Sequence, residues 1–437
     1  MKKYATVWVL AEFCVLSFPF LVLMSGERAA GSGVLWDFSK GLGFGALSII
    51  GLQFILTARF KSLTHPFGID IIYLFHRYAA FGALALILAH FGILYIWFED
   101  ALGDLNPLTA RWELTSGRLA LVAFALLVVT SEFRKRLGLA YGWWRTAHVA
   151  LAIIGFVAAI AHVLGVGHFT AAADKQAMIL GGSAGWIILI VWVRLIKPAL
   201  QMRNSWRVIE NRPERGDVHT LILEPAGKSL TRWKPGQFVW LTIGRSPFML
   251  SEHPFTLSDA PEHGPRIAMS IKSLGNFTQS VVKTKPGTVA WIDGPYGAFS
   301  IDRESGAEGF VMIAGGIGIT PMIANLRSMQ ARGDRRPVTL FYANSDWESV
   351  TFREDLDALT QHLNLKIVHV LEETDETWKG ETGFLDRDIL ERHLDTSAHS
   401  RSFMLCGPAP MTRAISKALL DIGVPIGRIK TEIFDLV

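Results

Sequence analysis

Four histidines stand at one repeated interval: His76 and His90, then His148 and His162, each pair fourteen residues apart. All four fall inside long apolar stretches, where an ionisable side chain is costly and marks a functional site by default. On an α-helix, fourteen residues rise about 21 Å and return to within about 40° of the same face. Each stretch therefore presents two imidazoles on one stripe. Two such helices facing each other create two bis-imidazole sites, one near each surface of a hydrocarbon layer about 30 Å thick. That is the geometry of two stacked b-type haems, because haem iron takes imidazole nitrogen axially and filling both axial positions suits electron transfer. A lone membrane histidine can equally hydrogen-bond a neighbouring helix. The recurrence of the interval on separate segments is what argues for ligation, and depth pairs His76 with His148 and His90 with His162.

Arg77 and Arg145 adjoin the inner ligands and are expected to hold haem propionates or to act as positively charged anchors at the membrane surface. Phe156, between the two histidines of its segment, is expected to be apolar packing, and the loop histidines His65 and His168 are expected not to ligate. The only cysteines are Cys14, in an apolar run, and Cys406, in a Gly-Pro turn. They suit neither a disulfide framework nor a thiolate metal site.

The second half of the chain carries a different set of chemical residues. The segment His253-Pro254-Phe255-Thr256 follows a strand and leads into a turn; such an edge can offer backbone groups and a Thr hydroxyl to a flavin. Twenty residues on, Lys272 is followed by Gly275-Asn276-Phe277-Thr278, a glycine turn into a helix, which can cradle a pyrophosphate with backbone N–H groups, a Lys charge and a hydroxyl. The run Gly315-Gly316-Ile317-Gly318-Ile319-Thr320-Pro321 reads as a strand end, a glycine turn and a helix start, suited to dinucleotide phosphates although its glycine spacing departs from the usual fingerprint. Cys406-Gly407-Pro408 repeats the strand-to-turn pattern and is expected to border a nicotinamide, and Phe434 is expected to stack on the flavin ring.

These residues need elements to hold them. Apolar stretches near 5–24, 41–58, 71–97, 118–131, 146–166 and 177–196 give six spans. The first is read as a retained span, being too long for the core of a signal peptide with a cleavage site near Ala29 and Ala30. Arg59, Lys61, Arg134, Lys135, Arg136, Arg194, Lys197, Arg203 and Arg207 follow spans two, four and six, which places those loops and both termini in the cytoplasm of a multi-pass plasma or inner membrane protein. Trp97, Trp143 and Trp144 sit at span ends as interfacial aromatics. A basic linker from Lys197 to Pro213 then leads to strands at 218–223, 238–243, 266–271 and 288–292, a small antiparallel barrel. From Gly309 strands alternate with helices, beginning with 310–314 and a helix over 321–332, which is a parallel-sheet nucleotide domain. The expected domains are 1–200, 204–305 and 306–437. The net charge of +4 forms no aromatic-interleaved basic stripe, which argues against nucleic acid.

Taken in this order, the paired histidines, His253-Pro254-Phe255-Thr256, Asp293-Gly294-Pro295-Tyr296-Gly297, the Gly315 turn and Cys406-Gly407-Pro408 resemble the NADPH oxidase and ferric reductase superfamily, in particular a compact prokaryotic-type NADPH oxidase. The resemblance covers nearly the whole chain. It implies a six-helix haem-binding bundle joined to a ferredoxin-NADP-reductase-like module. Electrons would pass from NADH or NADPH to FAD, the inner haem, the outer haem and external dioxygen, forming superoxide, with no obligatory protein partner. The turn Ser345-Asp346 lacks the Arg that would take a 2′-phosphate, so the donor is written NAD(P)H. Three other readings stand beside this one: a ferric-chelate reductase ending on ferric iron, a membrane donor to a quinone or partner protein, and a transporter or scaffold whose histidines only pack.

Overall fold

The computed structural model describes residues 2–434 apart from 26–32, 61–68, 229, 231, 245, 250, 251, 396, 397 and 399. Ala29, Ala30, Lys61 and His65 lie outside the described residues. The chain divides into two compact units, Met1–Pro198 and Ala199–Val437.

The first unit holds helices α1 (Lys2–Met24), α2 (Val34–Thr57), α3 (Ile69–Trp97), α4 (Trp112–Glu132), α5 (Tyr141–Val166) and α6 (Ala173–Val191). A π-turn, Trp192–Ile196, carries α6 on into the short α7, Lys197–Gln201. Among the described residues six helices are long and apolar enough to cross a bilayer. Leu74, Val157 and Ile188 are among many large apolar side chains left more than half exposed, a surface that lipid covers. The fourth span starts at Trp112 rather than 118, since hydropathy alone discounts Glu113 and Arg118. The structure accommodates both: Arg111 pairs with the Glu113 carboxylate, and Arg118 Nη2 donates to Leu102 O at 2.6 Å. Helix α2 packs along α3 and α4 packs along α5, while α3 and α5 have little direct backbone contact. Where α4 meets α5, a Cβ at Gly155 would lie 2.9 Å from the Phe124 ring, so glycine permits the close approach.

The second unit contains two six-stranded sheets. The antiparallel one comprises β1 (Trp206–Glu214), β2 (Val218–Pro225), β3 (Phe238–Ile243), β4 (His253–Thr256), β5 (Ile267–Lys272) and β6 (Val289–Tyr296), in the order β4-β3-β6-β1-β2-β5. A bridge between Leu257 and Met269 joins the two edges and closes a barrel. The expected linker to Pro213 is corrected here. Residues from Trp206 form β1, whose buried Trp206 and Val208 help fill the barrel core while Arg207 and Arg212 keep the exposed face basic.

The parallel sheet has strands β7 (Phe310–Gly315), β8 (Val338–Asn344), β9 (Leu365–Leu371), β10 (Glu381–Thr382), β11 (Ser402–Gly407) and β12 (Ile429–Ile433), in the order β10-β9-β8-β7-β11-β12. Its largely apolar central strands are covered on both faces, one core holding Met312, Leu340 and Tyr342 and the other Val311, Phe341 and Leu405. Helices α8 (Asn276–Val282), α9 (Ile319–Arg332), α10 (Arg353–Thr360), α11 (Arg387–His393) and α12 (Ala409–Asp421) complete the unit. Helix α9 ties the layers together. Buried Asn325 accepts from Ile301 N at 2.9 Å and donates to Pro321 O at 2.6 Å, and Arg327 Nη1 donates to Ser258 O at 2.7 Å.

Candidate functional site

In the membrane unit His76 and His148 face each other with ring centroids 6.4 Å apart and planes 50° apart. An iron held by both Nε2 atoms at about 2.0 Å, with about 1.2 Å more from nitrogen to ring centre, needs centroids about 6.4 Å apart. Two imidazoles would not need parallel planes to hold one haem between them, and the 50° angle is compatible with that. Both rings line a cavity shared with Gln53, Ala80, Ala83 and Arg194. Among the described residues no group of three or more His, Cys, Asp or Glu could hold a bare metal ion. Paired imidazoles fit a metal whose other positions are filled by a macrocycle.

The hydrogen bonds behind the rings decide which nitrogen is free. His148 Nδ1 lies 3.1 Å from Ser131 Oγ, and that hydroxyl already donates to Leu127 O at 2.6 Å, so the ring nitrogen is the donor. His162 Nδ1 donates to Glu113 O at 2.8 Å, and His90 Nδ1 donates to Ser39 O at 2.8 Å. All three imidazoles are thereby fixed in the Nδ1–H tautomer, which leaves Nε2 as a lone-pair donor, the second-layer arrangement that metal-bound histidines use. Among the described residues His76 Nδ1 is buried without a hydrogen-bond partner. Glycine makes room for the outer rings: a Cβ at Gly117 would lie 2.7 Å from His162 Nδ1, and one at Gly43 would touch the His90 ring at 3.7 Å.

Other membrane residues fall out as follows. Arg77 Nη2 donates to both oxygens of Glu132, at 2.7 and 2.8 Å. Arg145 is buried on α5. Phe156 is buried and packs edge-on against Phe54 at 5.2 Å, within the helix core. Trp97 and Trp143 are exposed as a belt requires, whereas Trp144 lies 5.2 Å from the His148 ring. His168 contacts Trp36 at 5.9 Å and Phe169 at 4.5 Å, an aromatic cluster. Sequence reading passed over Ser39, Ser131, Glu113 and Gly117; a hydroxyl or carbonyl that meets an imidazole from another helix leaves no local pattern.

In the second unit His253 stacks on Phe277 with centroids 4.0 Å apart, so the two expected flavin segments meet. Phe255 stacks on the same ring at 6.0 Å, Pro254 pairs with Trp240 in β3, and Thr256 is buried opposite Phe238. Thr278 Oγ accepts from Leu274 N at 2.9 Å and Gly275 N at 2.8 Å, which spends its hydroxyl oxygen on shaping the turn. Asn276 opens α8, and Lys272 ends β5 next to the turn. Tyr296 donates to Asp293 Oδ1 at 2.8 Å and lies beside Phe238.

At the nucleotide edge, β7 runs to β8 on one side while β11 lies on the other, a topological switch point, and ligands bind at such points beyond the strand ends. Gly316 has φ +52, and a Cβ at Gly318 would lie 2.3 Å from Cys406 O, so glycine lets the two turns approach. Thr320 donates to Ile317 O at 3.1 Å, and Pro321 is buried in the first turn of α9. Gly407 pairs with Ile433, which puts Phe434, 39% exposed, beside the Gly407-Pro408 turn. Cys406 is wholly buried, its thiol in the core with Met312 and Met404, and burial pushes it well above the ordinary thiol range, with Glu432 adding to the effect. A ligand here therefore meets the backbone of Gly407 and Pro408, not the Cys406 sulfur as a chemical group. Glu432, opposite Cys406 in β12, was not anticipated from sequence.

Residues 42–160 match the family described as ferric reductase like transmembrane component, residues 209–300 an FAD-binding domain and residues 312–417 an oxidoreductase NAD-binding domain. The six bilayer-length helices and these matches define a multi-pass membrane chain joined to FAD- and NAD-binding modules. That order of domains matches the architecture of the NADPH oxidase and ferric reductase superfamily.

Over 190 residues the chain is 32% identical to an NADH-cytochrome b5 reductase 1 of Pyricularia oryzae, covering 41% of this chain and 61% of the relative. A second reductase of that name, from Debaryomyces hansenii, is 34% identical over 167 residues, which cover 37% of this chain and 58% of the relative. The chain thus spans about three fifths of the length of these relatives. A flavohemoprotein of Bordetella pertussis is 26% identical over 309 residues, covering 66% of this chain and 76% of that protein. The crystal structure of a flavohemoglobin from Malassezia yamatoensis shares 20% identity and a TM-score of 0.51, covering 93% of this chain and 100% of that one, a likeness of fold alone.

Proposed function

We propose that the chain is a transmembrane NAD(P)H oxidase, carrying electrons from cytosolic NAD(P)H through FAD and two b-type haems to external dioxygen. The observation that carries this reading is the 6.4 Å separation of His76 and His148, with Nε2 of His148 left free by its bond to Ser131. His76 and His148 would hold the inner haem and His90 and His162 the outer. When bound, the haems supply one-electron carriers inside the lipid, and FAD converts hydride uptake into single-electron delivery. For each NAD(P)H oxidised, two dioxygen molecules become two superoxide ions and one proton is released.

The chain's own residues bind and orient. His253-Pro254-Phe255-Thr256, Lys272 and the Gly275-Asn276-Phe277-Thr278 turn would hold the flavin nucleotide. Gly315, Gly316, Gly318, Thr320, Pro321, Gly407 and Pro408 would hold the dinucleotide, with Phe434 against the flavin ring and Cys406 setting the shape of that edge. Arg145, buried on the helix that carries His148, would serve as a propionate partner, and Arg77 is paired with Glu132. The basic loops after spans two, four and six support a cytoplasmic side for both termini. Domains of 1–200, 204–305 and 306–437 serve haem, flavin and nucleotide in turn. A second reading, a ferric-chelate reductase, is favoured by the ferric reductase like match over 42–160.

The test uses detergent-purified, FAD-loaded protein given NADH or NADPH, with superoxide and ferric-chelate reduction measured in parallel. Superoxide formation matching nucleotide consumption supports the oxidase. Oxygen-independent turnover on ferric chelate assigns the chain to the second reading.

A further inference from the structure

We propose that the nucleotide site selects NADH over NADPH through an acidic rim of Asp346, Glu348, Glu372 and Glu373 at the ends of β8 and β9. The inference rests on the reading of residues 306–437 as the nicotinamide-nucleotide domain and names which of its two donors that domain takes. In a doubly wound nucleotide fold, the residues just past the strand next to the phosphate turn meet the adenosine ribose. A carboxylate there accepts from a free 2′-hydroxyl, and an arginine there pairs with a 2′-phosphate.

Here β8 is that strand, paired in parallel with β7 from Phe310 to Gly315. It ends at Asn344, which is buried at the strand end with its side-chain amide on the Tyr342 hydroxyl. Asp346 follows, fixed at the turn by Ser349 N donating to its Oδ1 at 2.8 Å. The acidic end of β9 is bound alongside: Glu372 N donates to Asn344 O at 3.1 Å and Glu373 N donates to Ser345 O at 2.7 Å. Four carboxylates thus crowd one short stretch of rim.

Among the described residues the nearby arginines are already engaged, Arg215 with Glu348 of the rim itself and Arg353 on Trp347. Arg215 Nη1 holds Glu348 at 2.9 Å and its Nη2 holds Glu354 at 2.8 Å, and this guanidinium keeps the Glu354 carboxyl down at about 2. Arg353 lies over the Trp347 ring at 4.6 Å and donates to Trp347 O at 3.3 Å. A 2′-phosphate brings roughly −1.5 to −2 charge into this setting, whereas a ribose hydroxyl donates to it. The Arg215 pairs are exposed and so individually weak, which sets the selection at about ten- to a hundredfold and no more.

The test is rapid mixing of the full-length, FAD-loaded protein with NADH or NADPH, following loss of flavin absorbance, for wild type, Asp346→Ser and Asp346→Ser/Glu373→Lys. We expect wild-type kcat/KM for NADH to exceed that for NADPH by about tenfold or more, and the double variant to narrow the ratio at least tenfold through a lower KM for NADPH. Wild type that takes NADPH equally well or better overturns the selection and leaves the donor reading standing. A wild-type preference for NADH that both variants leave unmoved overturns the assignment to this rim. Failure of both nucleotides to bleach the flavin overturns the donor reading itself and the selection with it.

Discussion

Ser131, on α4, stands 3.1 Å behind His148, on α5, with its own proton committed to Leu127 O. The contact turns an ambiguous imidazole into a defined one. His148 must donate through Nδ1, and its Nε2 lone pair is left toward the partner ring of His76. Ser39 O and Glu113 O impose the same state on His90 and His162.

Removing this support weakens the inner site without deleting its ligand. Ser131→Ala removes only the hydroxyl and so strips the acceptor from His148, and we expect inner-haem affinity to fall about tenfold or more. Haem loss from purified protein to an excess of an apo-haem acceptor protein measures it. Ser48→Ala, whose hydroxyl bonds only within α2 to Phe44 O, should lose haem at the wild-type rate.

Gly117→Ala should act on the outer site alone. The added Cβ would sit 2.7 Å from His162 Nδ1, inside any tolerable contact, and must push the ring off its bond to Glu113 O. The expected outcome is one low-spin haem signal per chain in place of two. Two unaltered signals from Gly117→Ala would mean that His162 does not ligate.

Much of this was legible in the sequence, for identifiable reasons. Six apolar runs and a fourteen-residue interval survive translation into structure because helix rise and twist are fixed. Strands β2, β3, β5 and β6 fell close to the expected places, since turn residues bracket them. What was missed depended on partners distant in sequence. The Trp206–Glu214 strand was hidden by its basic exposed face, the start of α4 by charges that find local partners, and the histidine anchors by contacts made across helices. The sealed state of Cys406 likewise follows from packing beneath β12 and α9, which no local motif records.

The joint between barrel and parallel sheet gives a stability prediction. Asn325→Leu leaves the buried Ile301 N–H without its acceptor, and such an unmet group costs about 1–3 kcal/mol. Denaturant unfolding of the full chain, followed by flavin release, should show a lower midpoint with the slope unchanged. An unshifted midpoint would show that Asn325 does not hold the joint.

Cys406 should behave as structure rather than as a nucleophile. Burial holds its thiol well above the usual value of 9.0, so it stays protonated up to about pH 9 and offers no thiolate. In a Cys14→Ser background, a small thiol reagent should label nothing between pH 7 and pH 9 until denaturant is added. Labelling of the folded variant that rises across this range would contradict the sealed geometry.

Haem content with low-temperature spin resonance of the purified chain tests the four histidines directly. Two haems per chain, both low-spin with bis-imidazole spectra, and one haem in His148→Ala or His162→Ala, are the predicted results. A wild-type chain with no haem, or variants that keep both, would contradict their assignment as ligands.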